Sequence, residues 1–161
     1  MTSGESIASE LRHAVEGDPW HGSSLSHLVD GITAEEAMQR PIPTGHNIWE
    51  LVLHITSWSK IALRRINGGQ PQPFQGEDWP ESGGFTEDHW KEIVAAMKDS
   101  HNRLCEVVAG LADDQLEKNA PGSGRSIAFM LHGVAQLDAY HGGQIALLRK
   151  LVTTKHRRAA L

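Results

Sequence analysis

The sequence predicts an all-α fold: a four-helix bundle with short extra helices and one long crossover loop. Apolar residues recur at helical spacing through nearly the whole chain, the pattern of helices that bury one face. Capping and helix-ending residues divide this pattern into segments, and one stretch rich in Gly and Pro lacks it. The predicted long helices cover residues 3–16, 48–67, 86–111 and 126–153.

Start and stop signals justify the elements of the first half in order. The first long helix ends where Gly17-Asp18-Pro19 interrupts the periodicity. A short helical piece follows over 24–31, and Thr33-Ala34-Glu35-Glu36 has the form of a capping box that opens another short turn. His46-Asn47 is the predicted N-terminal cap region of the second long helix, which ends at Gly68-Gly69.

The second and third long helices are separated by residues 68–86, which are rich in Gly and Pro and have no periodic pattern. Loops of this length are uncommon in compact domains, and they are often functional or cross from one end of a bundle to the other. At about 3.3 Å per residue, such a segment easily spans a helix of about 30 Å. We therefore predict a crossover from one end of the bundle to the other. Trp79 within it is expected either to pack against the bundle or to shield a pocket.

The two halves of the chain also resemble each other. Residues 31–36 lead through two prolines to 53–55, and residues 110–114 lead through Pro121 to 131–133. We interpret this as two similar helical hairpins that are related by a pseudo-twofold axis and joined by the crossover loop.

Composition limits the class of protein. A chain of 161 residues is expected to form a single domain over 1–161. The net charge of −5 and the pI near 6.0 give no excess of positive charge that would bind nucleic acid. No apolar run approaches the roughly 18 residues of a membrane span. A single cysteine, Cys105, fits a reducing compartment. We expect a cytoplasmic protein with no nucleic-acid or membrane partner, and a solvated basic tail at 155–158.

Two histidines stand where apolar residues would ordinarily fill a helical core. His54 shares a helical face with Leu51 and Trp58, and His141 shares one with Leu148. Burying an imidazole costs free energy unless its nitrogens are satisfied. A buried hydrogen-bond partner would satisfy them, and so would a divalent metal such as Zn²⁺, Ni²⁺ or Fe²⁺. Both interpretations stay open for this pair.

A third ligand is the test, because a catalytic metal usually has three protein ligands and one open position. Leu137 lies one turn before His141 on the same face but cannot coordinate a metal. Asp138 either reaches the edge of the site or is a solvated or supporting carboxylate. Gln144, one turn after His141, is expected to hydrogen-bond a ligand or a neighbouring helix.

Other residues complete the set of candidates. His101, on the apolar stripe of the third long helix, and His21, in a turn, are each able to project into the mouth of the bundle. His132 is nine residues before His141, roughly on the opposite side of the helix, and is not expected to share its site. Cys105 flanks the apolar stripe and is expected to be an inert core thiol.

Four blocks of sequence, taken together and in order, resemble the DinB-like (DinB/YfiT) metalloenzyme superfamily. The blocks are Trp20-His21-Gly22, Gly45-His46-Asn47-Ile48-Trp49-Glu50-Leu51-Val52-Leu53-His54, Leu131-His132-Gly133 and Asp138-Ala139-Tyr140-His141-Gly142-Gly143-Gln144-Ile145. The resemblance implies a compact four-helix bundle, commonly a homodimer. It also implies a divalent metal held by one His of the second long helix and an H-x-x-x-H pair of the fourth.

By position, the resemblance implies His54 and His141 as metal ligands and puts the remaining one at Leu137, where this chain departs from the pattern. The implied function is a metal-dependent enzyme acting on a small molecule. It would be a hydrolase, or a thiol S-transferase that uses a low-molecular-weight thiol such as bacillithiol or mycothiol. The alternative is a metal-free or non-catalytic DinB-like dimer that binds a small ligand. DNA binding is not implied.

Overall fold

The computed structural model describes the backbone of residues 1–159 and the side chains of residues 1–153. Helices and loops make up this part of the chain, apart from one isolated β-bridge between Asn119 and Ser126. The predicted all-α class is therefore confirmed. The helices are α1 (Ser3–Glu16), α2 (Leu25–Val29), α3 (Ala34–Met38), α4 (Ile48–Ile66), α5 (Glu87–Ala109), α6 (Asp113–Glu117) and α7 (Ile127–Ala159).

Local sequence accounts for where α1, α3 and α4 begin. Thr2, Thr33 and Asn47 each accept a hydrogen bond from a backbone N–H in the first turn, and a Glu side chain bonds back to the cap residue. The capping box predicted at Thr33 and the cap predicted at Asn47 are confirmed. The backbone of α7 continues to Ala159, beyond the predicted end at 153, and α6 was not predicted.

The four long helices pack pairwise: α1 and α4 each contact both α5 and α7. The buried apolar residues form two clusters. One surrounds Trp49, Met97 and Ile145, and the other surrounds Leu11 and Leu131. The inward faces of α4 and α7 therefore meet in the interior, where the two candidate histidines project.

Residues 67–86 connect α4 to α5 without a helix or strand. The last turns of α4 hold this loop in place. Arg64 forms a two-pronged ion pair with Glu77, with N–O distances of 2.5 and 2.9 Å. Arg65 donates from Nε to the backbone carbonyl of Pro71 at 2.6 Å. Because these contacts hold the middle of the loop against α4, the residues that follow Glu77 lie across the buried face of that helix.

The predicted basic tail at 155–158 lies outside the described side chains. No helix in the described part of the chain is both long enough and apolar enough to cross a bilayer.

Candidate functional site

His54 lies in the middle of α4 and is only 6% exposed. Its Nδ1 is 2.6 Å from the backbone carbonyl oxygen of Asp78. A carbonyl oxygen can only accept, so Nδ1–H donates and Nε2 keeps the lone pair of the neutral ring. Burial lowers the pKa of His54; the hydrogen bond to Asp78 opposes this effect, and the nearby His141 adds to it. His54 is therefore a neutral imidazole at pH 7.

His141, on α7, meets His54 edge to face. The ring centroids are 4.7 Å apart and the ring planes make an angle of 85°. Nδ1 of His141 donates to Oε1 of Gln144 at 2.8 Å. Gln144 thus orients His141, whereas the sequence suggested a bond to a ligand or a neighbouring helix. In both histidines Nδ1 is engaged with an oxygen, which leaves Nε2 as the nitrogen available for other partners.

Trp79, from the loop, covers this pair of histidines. Its indole stacks on His54 with centroids 3.9 Å apart and planes 11° apart. The opposite face of the indole stacks on His46 at 3.6 Å and 7°. Trp79 also meets His141 edge-on at 6.1 Å. The predicted packing of Trp79 against the bundle is confirmed, and the same contacts shield both histidines from solvent.

Asp78 fixes the position of Trp79, and sequence reasoning missed it. Its backbone carbonyl accepts from His54, and its Oδ1 accepts from Nε1 of Trp58 at 2.7 Å. These partners are 20 to 24 residues away in the chain, so no local pattern reveals them. His46 was placed in the cap region of α4, and its stacking on the indole was not foreseen.

His101 and Asp138 form a separate polar pair, with each residue 1% exposed. Nε2 of His101 is 3.2 and 3.3 Å from the two carboxylate oxygens of Asp138, and Nδ1 is 2.9 Å from the carbonyl oxygen of Met97. Both ring nitrogens face acceptors, so only the imidazolium donates to both. Burial disfavours this cation, but the charge and hydrogen bonding of Asp138 outweigh burial and raise the pKa of His101.

This pair bears on two alternatives that the sequence left open. His101 does not project into the mouth of the bundle but lies in the core, because Asp138 offers it a buried carboxylate. Asp138 is not solvated, since its side chain is fully buried against His101. His21 is exposed and lines a surface groove with Ala139.

Two residues occupy the places that the sequence predicted. His132 is exposed and bonds to Glu10 at 2.8 Å, on the side of α7 away from His141. Cys105 is buried, and burial raises the pKa of its thiol. A thiol in this state is a poor nucleophile.

Comparison with known families decides the relationship of the chain. The sequence profile of the DinB superfamily matches residues 20–145, a span that includes the two facing histidines and the loop that covers them. The chain belongs to the DinB superfamily. The resemblance inferred from four blocks of sequence is thus confirmed. No curated protein matches the chain significantly.

The donor set of this DinB-superfamily chain does not fit a three-ligand metal centre. His54 and His141 each offer one nitrogen, but the third ligand position that the sequence resemblance implies is occupied by Leu137. Asp138 is engaged with His101, and the amide oxygen of Gln144 accepts from His141. Among the residues with described side chains, no group of three or more His, Cys, Asp or Glu is placed to hold a metal ion. A catalytic metal ordinarily needs such a group.

Because Trp79 covers the two histidines of this DinB-superfamily site, removing its side chain should make both rings more accessible to reagents. Trp79→Ala is expected to raise the rate at which diethylpyrocarbonate modifies His54 and His141 by about tenfold or more, because both rings lose their cover. Mass spectrometry of proteolytic peptides measures this rate. Trp20→Ala is the matched control, since Trp20 is fully exposed, and the surface residue His132 is the internal reference. Unchanged protection of His54 in Trp79→Ala would contradict the role given to Trp79.

Proposed function

We propose that this DinB-superfamily protein binds a small organic molecule next to His54 and His141 and does so without a resident metal ion. The observation that carries the proposal is Leu137, which stands four residues before His141, at the position of the missing ligand. Leucine preserves the packing between the helices and removes the donor. The scaffold of the family is thereby retained while its metal chemistry is lost.

The contacts around the two histidines support this proposal. Asp138 and Gln144, the candidates that the sequence offered for the missing donor, each already have a partner inside the protein.

The proposal includes the finer features expected from the sequence. The long helices would form a four-helix bundle of two pseudo-twofold hairpins, with residues 68–86 as the crossover. The protein would act as a cytoplasmic homodimer. Its partners would be small molecules, with neither nucleic acid nor membranes among them.

A rival proposal keeps the metal. In it, His54 and His141 hold a divalent ion with water completing the shell, and the protein is a hydrolase or a thiol S-transferase. One observation favours it: Nδ1 of each imidazole is hydrogen-bonded to an oxygen, the arrangement that orients metal-ligating histidines. A bound metal would lower the pKa of a water or thiol at the site.

Metal analysis of the full chain tests the proposal against its rival. The protein is purified without a His tag or a nickel column and is measured by inductively coupled plasma mass spectrometry. We expect less than about one tenth of an equivalent of Zn, Ni or Fe per chain. His54→Ala and His141→Ala should give the same value. Stoichiometric metal that disappears in both variants would overturn the proposal and support the metal-dependent enzyme.

A further inference from the structure

A cavity of about 230 Å³ lies between α4 and α7, one helical turn from the two histidines. Trp58, four residues after His54, lines it on α4, and Leu137, four residues before His141, lines it on α7. The two helices thus run in opposite directions along the cavity. The residues that line it are Trp58, Ala62, Arg65, Met130, Gly133, Val134 and Leu137. Six of these seven are uncharged.

The exception is Arg65, a cation that is only 9% exposed. Its Nε donates to the carbonyl of Pro71 at 2.6 Å, and its Nη1 lies 4.0 Å from the sulfur of Met130. Glu77 of the loop forms its ion pair with Arg64, and only its longer-range charge acts on Arg65. No carboxylate among the described side chains forms an ion pair with Arg65.

An unpaired buried cation is costly, so its presence needs a reason. A guanidinium has five N–H donors in a planar fork that matches a carboxylate. Only Nε of Arg65 donates to an oxygen of the described residues, so the outer nitrogens keep donors for a ligand. The guanidinium carbon is also 5.7 Å from the centre of the Trp58 ring, which holds the cation at the wall of the cavity.

We propose that this cavity binds a small organic carboxylate, with the carboxylate on the Nη atoms of Arg65 and the apolar body between Trp58 and Leu137. The inference rests on the proposed small-molecule function and names its ligand class. A single guanidinium neutralises one negative charge, so a carboxylate suits it better than a phosphate dianion.

The size of the cavity sets the size of the ligand. An apolar cavity of about 150 Å³ accommodates benzene. A cavity of about 230 Å³ therefore accommodates one six-membered ring and a carboxylate. Trp58, Met130 and Leu137 are half-buried, so the cavity is open to solvent and a ligand can enter.

Calorimetric titration of the full chain tests the inference at pH 7 in a buffer low in chloride. The probes are benzoate, cyclohexanecarboxylate, the neutral analogue benzamide and inorganic phosphate. We expect both carboxylates to bind at least about tenfold more tightly than benzamide and phosphate, because only they combine one charge with an apolar body.

Two variants locate the binding site. Arg65→Met should weaken benzoate binding at least about tenfold and leave benzamide binding unchanged. Gly133→Leu should weaken the binding of all ring-bearing probes, because a Cβ at Gly133 meets no atom within 4 Å and the leucine would fill the cavity. Gly143→Leu and Lys60→Met are the matched controls and should bind like the wild type. A Cβ added at Gly143 also meets no atom within 4 Å, and Lys60→Met removes an exposed charge.

Circular dichroism establishes that each variant folds. If Arg65→Met fails to fold, the test depends on Gly133→Leu. The inference is overturned if neither carboxylate binds, if benzamide or phosphate binds as tightly as benzoate, or if benzoate binding survives Gly133→Leu. Equal binding of benzamide and benzoate would leave the proposed small-molecule function standing. Stoichiometric metal in the wild type would overturn the proposed function without affecting the carboxylate result.

Discussion

His101→Leu is expected to destabilise the protein by about 3–5 kcal/mol at pH 7, the cost of removing one partner from a buried ion pair. The substitution leaves the carboxylate of Asp138 fully buried, and its hydrogen-bond donor in the described structure is lost. Urea unfolding followed by circular dichroism measures the loss as a shift in midpoint at constant slope.

Replacing the other partner, Asp138, should destabilise the protein less, because a histidine becomes neutral more easily than a carboxylate does. At pH 7 an ordinary imidazolium loses its proton at almost no cost, whereas an ordinary carboxylate takes up a proton at a cost of about 4 kcal/mol. Asp138→Leu should therefore cost only about 1–3 kcal/mol, the range for a buried polar group without its partner. The double variant His101→Leu/Asp138→Leu should return to within about 1 kcal/mol of the wild type or exceed it.

The pH dependence of stability gives a second readout of the same pair. Burial lowers the pKa of His101 in the folded protein, but Asp138, with smaller contributions from Met97 and Glu16, outweighs burial and raises it. Its contribution to stability is therefore fully present below the unfolded pKa of about 6.5 and is lost as the pH rises through the higher folded value. In both single variants and in the double variant, this fall in the free energy of unfolding above about pH 6.5 should be absent. Equal costs for the two single substitutions would show that the pair is not ionic.

The sequence was sufficient for features set by local geometry. Helical periodicity places His54 and His141 on the inward faces of their helices, so both point towards the shared core. The capping box at Thr33 and the cap at Asn47 follow from residues at most three positions apart. These interactions are closed within one turn of helix, so the order of residues determines them.

Contacts between distant segments could not be predicted from the sequence. Asp78 reaches His54 and Trp58 only because the loop is fastened to the end of α4. His101 was only a candidate for the mouth of the bundle, since nothing local shows that Asp138 faces it from α7. The burial of Arg65, in contrast, was predictable from the sequence. Arg65 continues the apolar stripe of His54, Trp58 and Ile61, so its burial follows from the same periodicity.

Leu137→His is expected to raise the affinity of the protein for Zn²⁺ about a hundredfold. Position 137 is one turn before His141 on the same face of α7, and it lies on the wall shared with Trp58, one turn from His54. Four-ligand zinc sites yield about 10–16 kcal/mol, so one further ligand is worth about 3 kcal/mol, or roughly two orders of magnitude in Kd. Competition against a chromophoric chelator measures this affinity.

Gln136→His is the matched control, because it adds a histidine one residue away on the exposed side of α7 and should leave the affinity unchanged. Adding His54→Ala to Leu137→His should abolish the gain, since the new site needs both helices. The neutral state of His54 favours metal binding, because its Nε2 lone pair is already free of a proton. If Leu137→His binds Zn²⁺ no better than the wild type, the residue at position 137 is not what limits metal affinity. The cause would then lie in the fixed orientation of the two imidazoles, which Asp78, Gln144 and the Trp79 stack hold together.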